Sequence, residues 1–199
     1  MTNAFSCSDE TALFDQDGQR KYLSQSEGRR FLRAAAMADE TTRIFCRLLH
    51  FTGCRISEAL ELTGHRLDVE GRRVIFRTLK RRKRVFRAVP VPARLMAELT
   101  RLADGNPDGG PLWSWCRQTA WRRVKKVMAA AGINGPQAVP RGLRHQFGVR
   151  ALQVHMPLTT TQRLLGHASP STTAIYQHAT GDDERQLLCR MWQGYESEG

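Results

Sequence analysis

The hydrophobic period of this chain departs from helical spacing in one stretch, and that departure limits the folds open to it. Apolar residues recur at helical spacing through most of the sequence, but residues 72–91 switch to strand character. There Arg73-Val74-Ile75-Phe76-Arg77-Thr78-Leu79 and Val85-Phe86-Arg87-Ala88-Val89, rich in β-branched and aromatic residues, flank Lys80-Arg81-Arg82-Lys83-Arg84. The pattern predicts one β-hairpin with a basic tip. A lone hairpin is marginal in water, so it must pack on the helices around it. The chain therefore reads as an α+β domain, mostly helical, with a small antiparallel hairpin or three-stranded sheet. Its 199 residues suit one such domain with a proper core.

Residues 1–22 are polar and aperiodic, and read as a flexible N-terminal arm ahead of a domain over 23–199. Ser24 with Glu27 has the spacing of a capping box, and Phe31, Leu32, Ala35 and Ala36 follow at helical intervals, predicting a helix over 25–38. A second helix, 41–51, buries Ile44, Phe45, Leu48 and Leu49 and stops at Gly53. Arg55 opens a short third helix; a helix start suits an anion, and a surface ion pair with Glu58 is the competing assignment. Pro92 begins a helix over 92–103, followed by the turn-rich stretch 104–111. The helix predicted over 115–131 has a strongly basic side made of Arg117, Arg122, Arg123, Lys125 and Lys126. Pro140 starts another, on which Arg141 and Arg144 share one face and His145 is rotated away from them. Residues 159–165 form a helix closed by Gly166, and Ser169 with Pro170 begins the next, which carries Thr172, Thr173 and Tyr176. His167 stands between these two, placed to reach across a cleft. A last helix, 182–195, gathers Leu187, Leu188, Met191, Trp192 and Tyr195 on one stripe that must dock onto something.

With 31 Lys and Arg against 19 Asp and Glu, a net charge of +12, the protein should seek a polyanion, nucleic acid first. No run of about 18 apolar residues exists to span a membrane, and the N-terminus lacks the pattern of a signal peptide, so the expected location is the cytoplasm. Five scattered cysteines with no CxxC pair indicate neither a disulfide framework nor a zinc site. Five adjacent cations at a hairpin tip repel one another unless a phosphate backbone lies nearby, which marks Arg81, Arg82, Lys83 and Arg84 as DNA-binding candidates.

Several separated motifs stand in a telling order: TGCRISEAL with Arg55, the basic hairpin with Lys80, PRGLRHQFG with Arg144, LLGHAS with His167 and STTAIYQH with Tyr176. Over residues 22–195 the chain resembles the catalytic domain of the tyrosine recombinases, the integrase family of phage, plasmids and chromosome-dimer resolution systems. The resemblance implies a site-specific recombinase that cuts and rejoins DNA without metal or other cofactor. Tyr176 would be the nucleophile, forming a 3′-phosphotyrosyl link and releasing a 5′-hydroxyl. Arg55 and Arg144 would hold the non-bridging oxygens, a role suited to planar, permanently charged forks. Lys80, or Lys83 if the tip is registered differently, would protonate the leaving oxygen. His167 would bond the phosphate or assist Tyr176, and Glu58 would hold the site in shape.

Two departures stand out against that pattern. The family usually carries histidine or lysine where this chain has Arg141, which donates to a phosphate oxygen but shuttles no proton. Full-length members also place a helical core-binding domain ahead of the catalytic one. The short lead here is expected to mean a catalytic-domain-only form, or a clamp completed by a partner protein. The implied partners are double-stranded DNA, further copies of the chain in a synaptic tetramer exchanging C-terminal helices, and an accessory protein, on the bacterial nucleoid. Two rivals keep the fold: a non-catalytic DNA-binding regulator, and a type IB topoisomerase-like enzyme. An RNA-binding module would need aromatic-rich strand motifs that are missing here.

Overall fold

Ser24 and Glu27 cap the first helix reciprocally: the Ser24 hydroxyl accepts from the Glu27 amide at 3.2 Å, and the Glu27 carboxylate accepts from the Ser24 amide at 2.8 Å. Helix α1, Gln25–Ala36, follows from that cap. The computed structural model describes residues 13–80, 83–106, 108–167 and 171–176, without the side chains of Leu79, Lys80, Lys83, Arg84 and Ser171. Asp39 caps α2, Glu40–Thr52, through its carboxylate on the Thr42 amide at 2.9 Å, and Gly53 ends it in the left-handed conformation at φ 60°. The remaining helices are α3 (Ile56–Leu60), α4 (Ala93–Asp104), α5 (Arg117–Ala130), α6 (Pro140–Gln153), α7 (Leu158–Leu165) and the short α8 (Ser171–Ala174). Each predicted helix inside the described residues is present, its ends shifted by a residue or two. The stretch 182–195 and the cap expected from Ser169 and Pro170 lie outside the described residues.

Helix α2 occupies the centre, in contact with α1, α3, α4, α5 and α6. Its Ile44, Phe45, Leu48 and Leu49 are the buried face that the spacing predicts, and they meet Phe31, Leu95, Leu99, Val124, Met128 and Leu143 from the helices around them. The hairpin pairs β2 (Arg73–Lys80) with β3 (Lys83–Pro90), and the two-residue strand β1 (Leu67–Asp68) extends it to an antiparallel sheet in the order β1-β2-β3. Val74, Phe76 and Thr78 of β2 and Arg87 and Val89 of β3 point inward while Phe86 faces solvent, the alternation expected of a sheet packed on one side; Val85 shares the face of Arg87 and Val89 but is 42% exposed. Lys80 stands opposite Lys83 in the register, at the far end of the ladder.

A second, smaller cluster joins Leu13, Val149, Leu165 and Tyr176. It draws in the described part of the segment expected to be a flexible arm. Residues 13–22 turn back on themselves, the Lys21 amide donating to the Leu13 carbonyl at 2.7 Å, and bury Leu13. Two or three apolar residues suffice to seat a turn against a domain, too few to leave a periodic signal.

Candidate active site

The end of α2 and the start of α3 set the first arginine. Arg55 is the N-cap of α3, and Glu58 at its third position accepts both the Arg55 amide, at 2.8 Å, and the Arg55 Nη1, at 3.0 Å. The ion pair with Glu58 is therefore real, and the arginine still leaves 44% of its side chain exposed. Arg144 comes from the second turn of α6 and is buried. Its Nη1 donates to the Gly53 carbonyl and its Nη2 to the Leu165 carbonyl, each at 2.8 Å, so one cation joins the C-terminal ends of α2 and α7. Burial lowers its pKa to about 10, which leaves it charged at neutral pH.

Gly166 closes α7 at φ 66° and turns the chain so that His167 follows directly. His167 is buried, its Nδ1 2.8 Å from the Thr173 hydroxyl on α8, and its ring lies nearly parallel to Tyr176 with centroids 6.1 Å apart. Burial first, then the charges of Arg144 and Arg55, push its pKa down to about 3, so the imidazole is neutral. Tyr176 is only 1% exposed. Its phenol is pushed up to about 12 by burial, against the pull of Arg144, Arg55 and Arg141. The ring rests on Gly148 of α6, where any Cβ would fall 2.4 Å from the phenol Cζ.

Arg55, Arg141, Arg144, His167 and Tyr176 all line one cavity of about 610 Å³. Five of the six residues expected to be catalytic thus meet in one place, with Glu58 at their back. The sixth, Lys80, and the DNA-binding candidates Arg81, Arg82, Lys83 and Arg84 have side chains outside the described residues. Arg117 and Trp121 of α5 stand at the cavity rim, and Trp121 is 42% exposed with Lys125 Nζ 5.7 Å from its ring centroid. Among the described residues no group of three or more His, Cys, Asp or Glu could hold a metal ion.

Two site residues escape sequence reasoning. His145, expected to turn away from Arg144, is buried with its Nδ1 3.3 Å from the Tyr176 hydroxyl. The helical wheel fails here because α6 is enclosed on nearly every side, with Gly142, Leu143, Arg144, His145, Gln146, Gly148 and Val149 all buried. The other is Arg87. Its Nη1 and Nη2 grip the two Glu58 carboxylate oxygens at 2.9 and 2.6 Å, Nη1 also donates to the Thr78 hydroxyl, and Nε donates to the Leu164 carbonyl at 2.8 Å. Strand alternation carries a signal for it, since Arg87 shares the inward face with Val89. Burial alone would raise Glu58, but the hydrogen bonds and charges of Arg87 and Arg55 hold its carboxyl below the ordinary value.

The seat of Tyr176 can be tested at Gly148. Gly148→Ala should dislodge the ring, because a Cβ at 2.4 Å from a ring carbon is intolerable. Overpacking costs about 1–3 kcal/mol and the better helix propensity of alanine returns about 1 kcal/mol, so stability falls modestly. The sharper readout is ultraviolet titration of tyrosine: the phenol ionising near pH 12 in the native protein should move toward its ordinary 10. An unmoved titration would contradict this packing.

The helical domain with its three-stranded sheet is the fold of a tyrosine recombinase catalytic domain: it superposes on the crystal structure of XerA recombinase with a TM-score of 0.72, covering 85% of this chain and 64% of that one at 26% identity. Residues 21–182 match the phage integrase family, and the chain belongs to that family. It is 33% identical over 172 residues to tyrosine recombinase XerD of Corynebacterium glutamicum, spanning 80% of this chain and 54% of that protein. Tyrosine recombinase XerC of Mesorhizobium japonicum is 40% identical over 153 residues, 71% of this chain and 46% of that one. The chain spans about half the length of these curated relatives.

Proposed function

We propose that this chain is the catalytic part of a site-specific DNA recombinase that cuts and rejoins strands through a 3′-phosphotyrosyl intermediate. One observation carries the reading: the phenol of Tyr176 shares a single cavity with Arg55, Arg141 and Arg144. Phosphoryl transfer asks mainly for positioning and for positive charge around the equatorial oxygens, and arginines supply both. Arg55, whose guanidinium is the more open, and Arg144, whose burial fixes it, clamp the non-bridging oxygens. Neutral His167 stacks beside the nucleophile and bonds the phosphate or the phenol. A lysine of the hairpin tip, Lys80 or Lys83, protonates the 5′-oxygen. Glu58 and Arg87 brace the frame from behind.

Double-stranded DNA is the substrate, held by the basic tip and by the rim of α5, with the net charge of +12 supplying affinity that falls steeply with salt. Copies of the chain assemble on DNA by exchanging the segment 182–195, with an accessory protein completing the grip, and the work is done at the nucleoid in the cytoplasm. No helix among the described residues is long and apolar enough to cross a membrane. We take 23–199 as the catalytic unit.

A supercoiled plasmid carrying DNA that flanks the gene separates this reading from its rivals. A recombinase leaves a denaturant-resistant protein–DNA species at one site and exchanges strands between two such sites, with EDTA present. Relaxation at no particular site would instead identify a topoisomerase, and binding without any adduct a regulator. Arg141 offers a finer check. Arg141→Lys should keep measurable cleavage, whereas Arg141→Ala should lose about 10²-fold with DNA affinity little changed, the usual effect of removing one charge-stabilising donor. Native-rate cleavage by Arg141→Ala would remove the residue from the site.

A further inference from the structure

A phenol that attacks phosphorus must first surrender its proton, and the three arginines around Tyr176 cannot receive it. They are permanently protonated, so they favour the phenolate without serving as its base. His167 is poorly aimed to accept that proton, because its Nδ1 is occupied by the Thr173 hydroxyl at 2.8 Å and its ring runs alongside the phenol at an interplanar angle of 16°. His145 is placed differently. Among the described residues it alone brings a ring nitrogen within hydrogen-bond reach of the phenol oxygen, at 3.3 Å with the two rings inclined at 60°. Its own Nε2 is buried with no partner among the described residues.

We propose that His145 is the proton acceptor for Tyr176, filling a role that Arg141 cannot take. The step rests on the recombinase reading. The phenol O–H bond breaks and its proton passes to Nδ1 of a ring that carries its own hydrogen on Nε2. The tyrosyl oxygen bonds phosphorus, the bond to the 5′-oxygen breaks, and that oxygen takes a proton from the hairpin lysine. Rejoining runs the same transfers backwards, with the imidazolium returning its proton to the departing phenol oxygen.

The surroundings also tie this transfer to the presence of substrate. Burial first, then Arg141 and Arg144 on the same helix and Lys21 from the N-terminal turn, hold His145 down to about 4. The phenol stands near 12, raised by burial although Arg144, Arg55 and Arg141 oppose the shift. In the free protein the proton therefore stays on the tyrosine. A phosphodiester seated among Arg55, Arg141 and Arg144 offsets their charge, and the imidazolium becomes easier to form just when there is something to attack. His167 adds no charge, since it is itself neutral.

His145→Asn tests this, because an amide oxygen can still accept a hydrogen bond but cannot carry the proton away. Single-turnover adduct formation on a saturating nicked duplex should fall about 10²–10⁴-fold at pH 7, the usual share of a general base. The variant's rate should then rise about tenfold per pH unit toward pH 9 as hydroxide takes over, while the native rate stays flat. Replacing Tyr176 by a more acidic fluorotyrosine should narrow the gap between the two. Native-like cleavage by His145→Asn, or a loss with an unchanged pH profile, would overturn the assignment and leave a positioning contact at most. If the variant does not fold, nuclear magnetic resonance titration of His145 in Tyr176→Phe, free and DNA-bound, decides: its pKa should rise on DNA, and a fixed value would overturn the proposal. A native protein that forms no adduct would defeat the recombinase reading itself, an outcome distinct from a native adduct that His145→Asn matches.

Discussion

Tyr176→Phe is expected to bind duplex DNA as tightly as the native protein and to form no covalent adduct. The substitution leaves the ring on its seat over Gly148 and beside His167, so shape and packing persist. Only the oxygen goes, and with it the 3.3 Å contact to His145, a loss of about 1 kcal/mol in stability. With Tyr176 as the proposed nucleophile, its deletion from a constellation that acts as a unit should remove about 10⁴-fold or more of the rate, which puts adduct formation beneath detection. Binding should persist because the proposed phosphate contacts come from the arginines and the basic surface. Residual adduct in Tyr176→Phe would place the nucleophile elsewhere, and weakened binding would mean that the phenol holds the DNA.

The second large effect belongs to the pair behind the site. Glu58 and Arg87 leave 7% and 6% of their side chains exposed, and Glu58 also carries Arg55. Glu58→Ala strands one fully buried cation, and breaking a buried pair from one side destabilises by about 3–5 kcal/mol. Replacing both partners at once, Glu58→Leu with Arg87→Met, should recover much of that, since no unpaired charge remains. Both proteins should lose cleavage beyond their loss of stability, because Arg55 has lost its anchor at the head of α3. The pH dependence has a definite sign. Glu58 ionises below its ordinary value in the folded state, so its contribution is present above pH 4.5 and drains away as the pH falls through the lower folded value. Glu58→Ala should lack that acid slope. Denaturant unfolding of the three proteins across pH measures it, and a Glu58→Ala protein within about 1 kcal/mol of native would show that this pair does not brace the site.

What the sequence makes legible and what it hides follow from distance along the chain. The cap of α1, the buried face of α2, the stop at Gly53 and the hairpin are local matters, decided by residues within a turn or two of one another, and local rules read them. Arg55, Arg144, His167 and Tyr176 are found by their surrounding motifs, and the fold brings them to one cavity. Arg87 is hidden because its partner lies 29 residues away: alternation puts it on the inward face with Val89, but nothing nearby in the chain points to the Glu58 carboxylate it meets there. His145 is hidden for a different reason: on a helix buried nearly all round, a rotation of about 100° leads from one packed neighbour to another and not from core to solvent. Leu13 is missed because a single buried residue has no period.

The most direct measurement maps the covalent bond itself. The protein is incubated with a nicked duplex that traps cleavage, the complex is digested, and the DNA-linked peptide and the linked DNA end are identified by mass spectrometry. One linkage is expected, between the Tyr176 phenol oxygen and a 3′-phosphate, formed equally well in EDTA. A linkage through another residue or to a 5′-phosphate would contradict it.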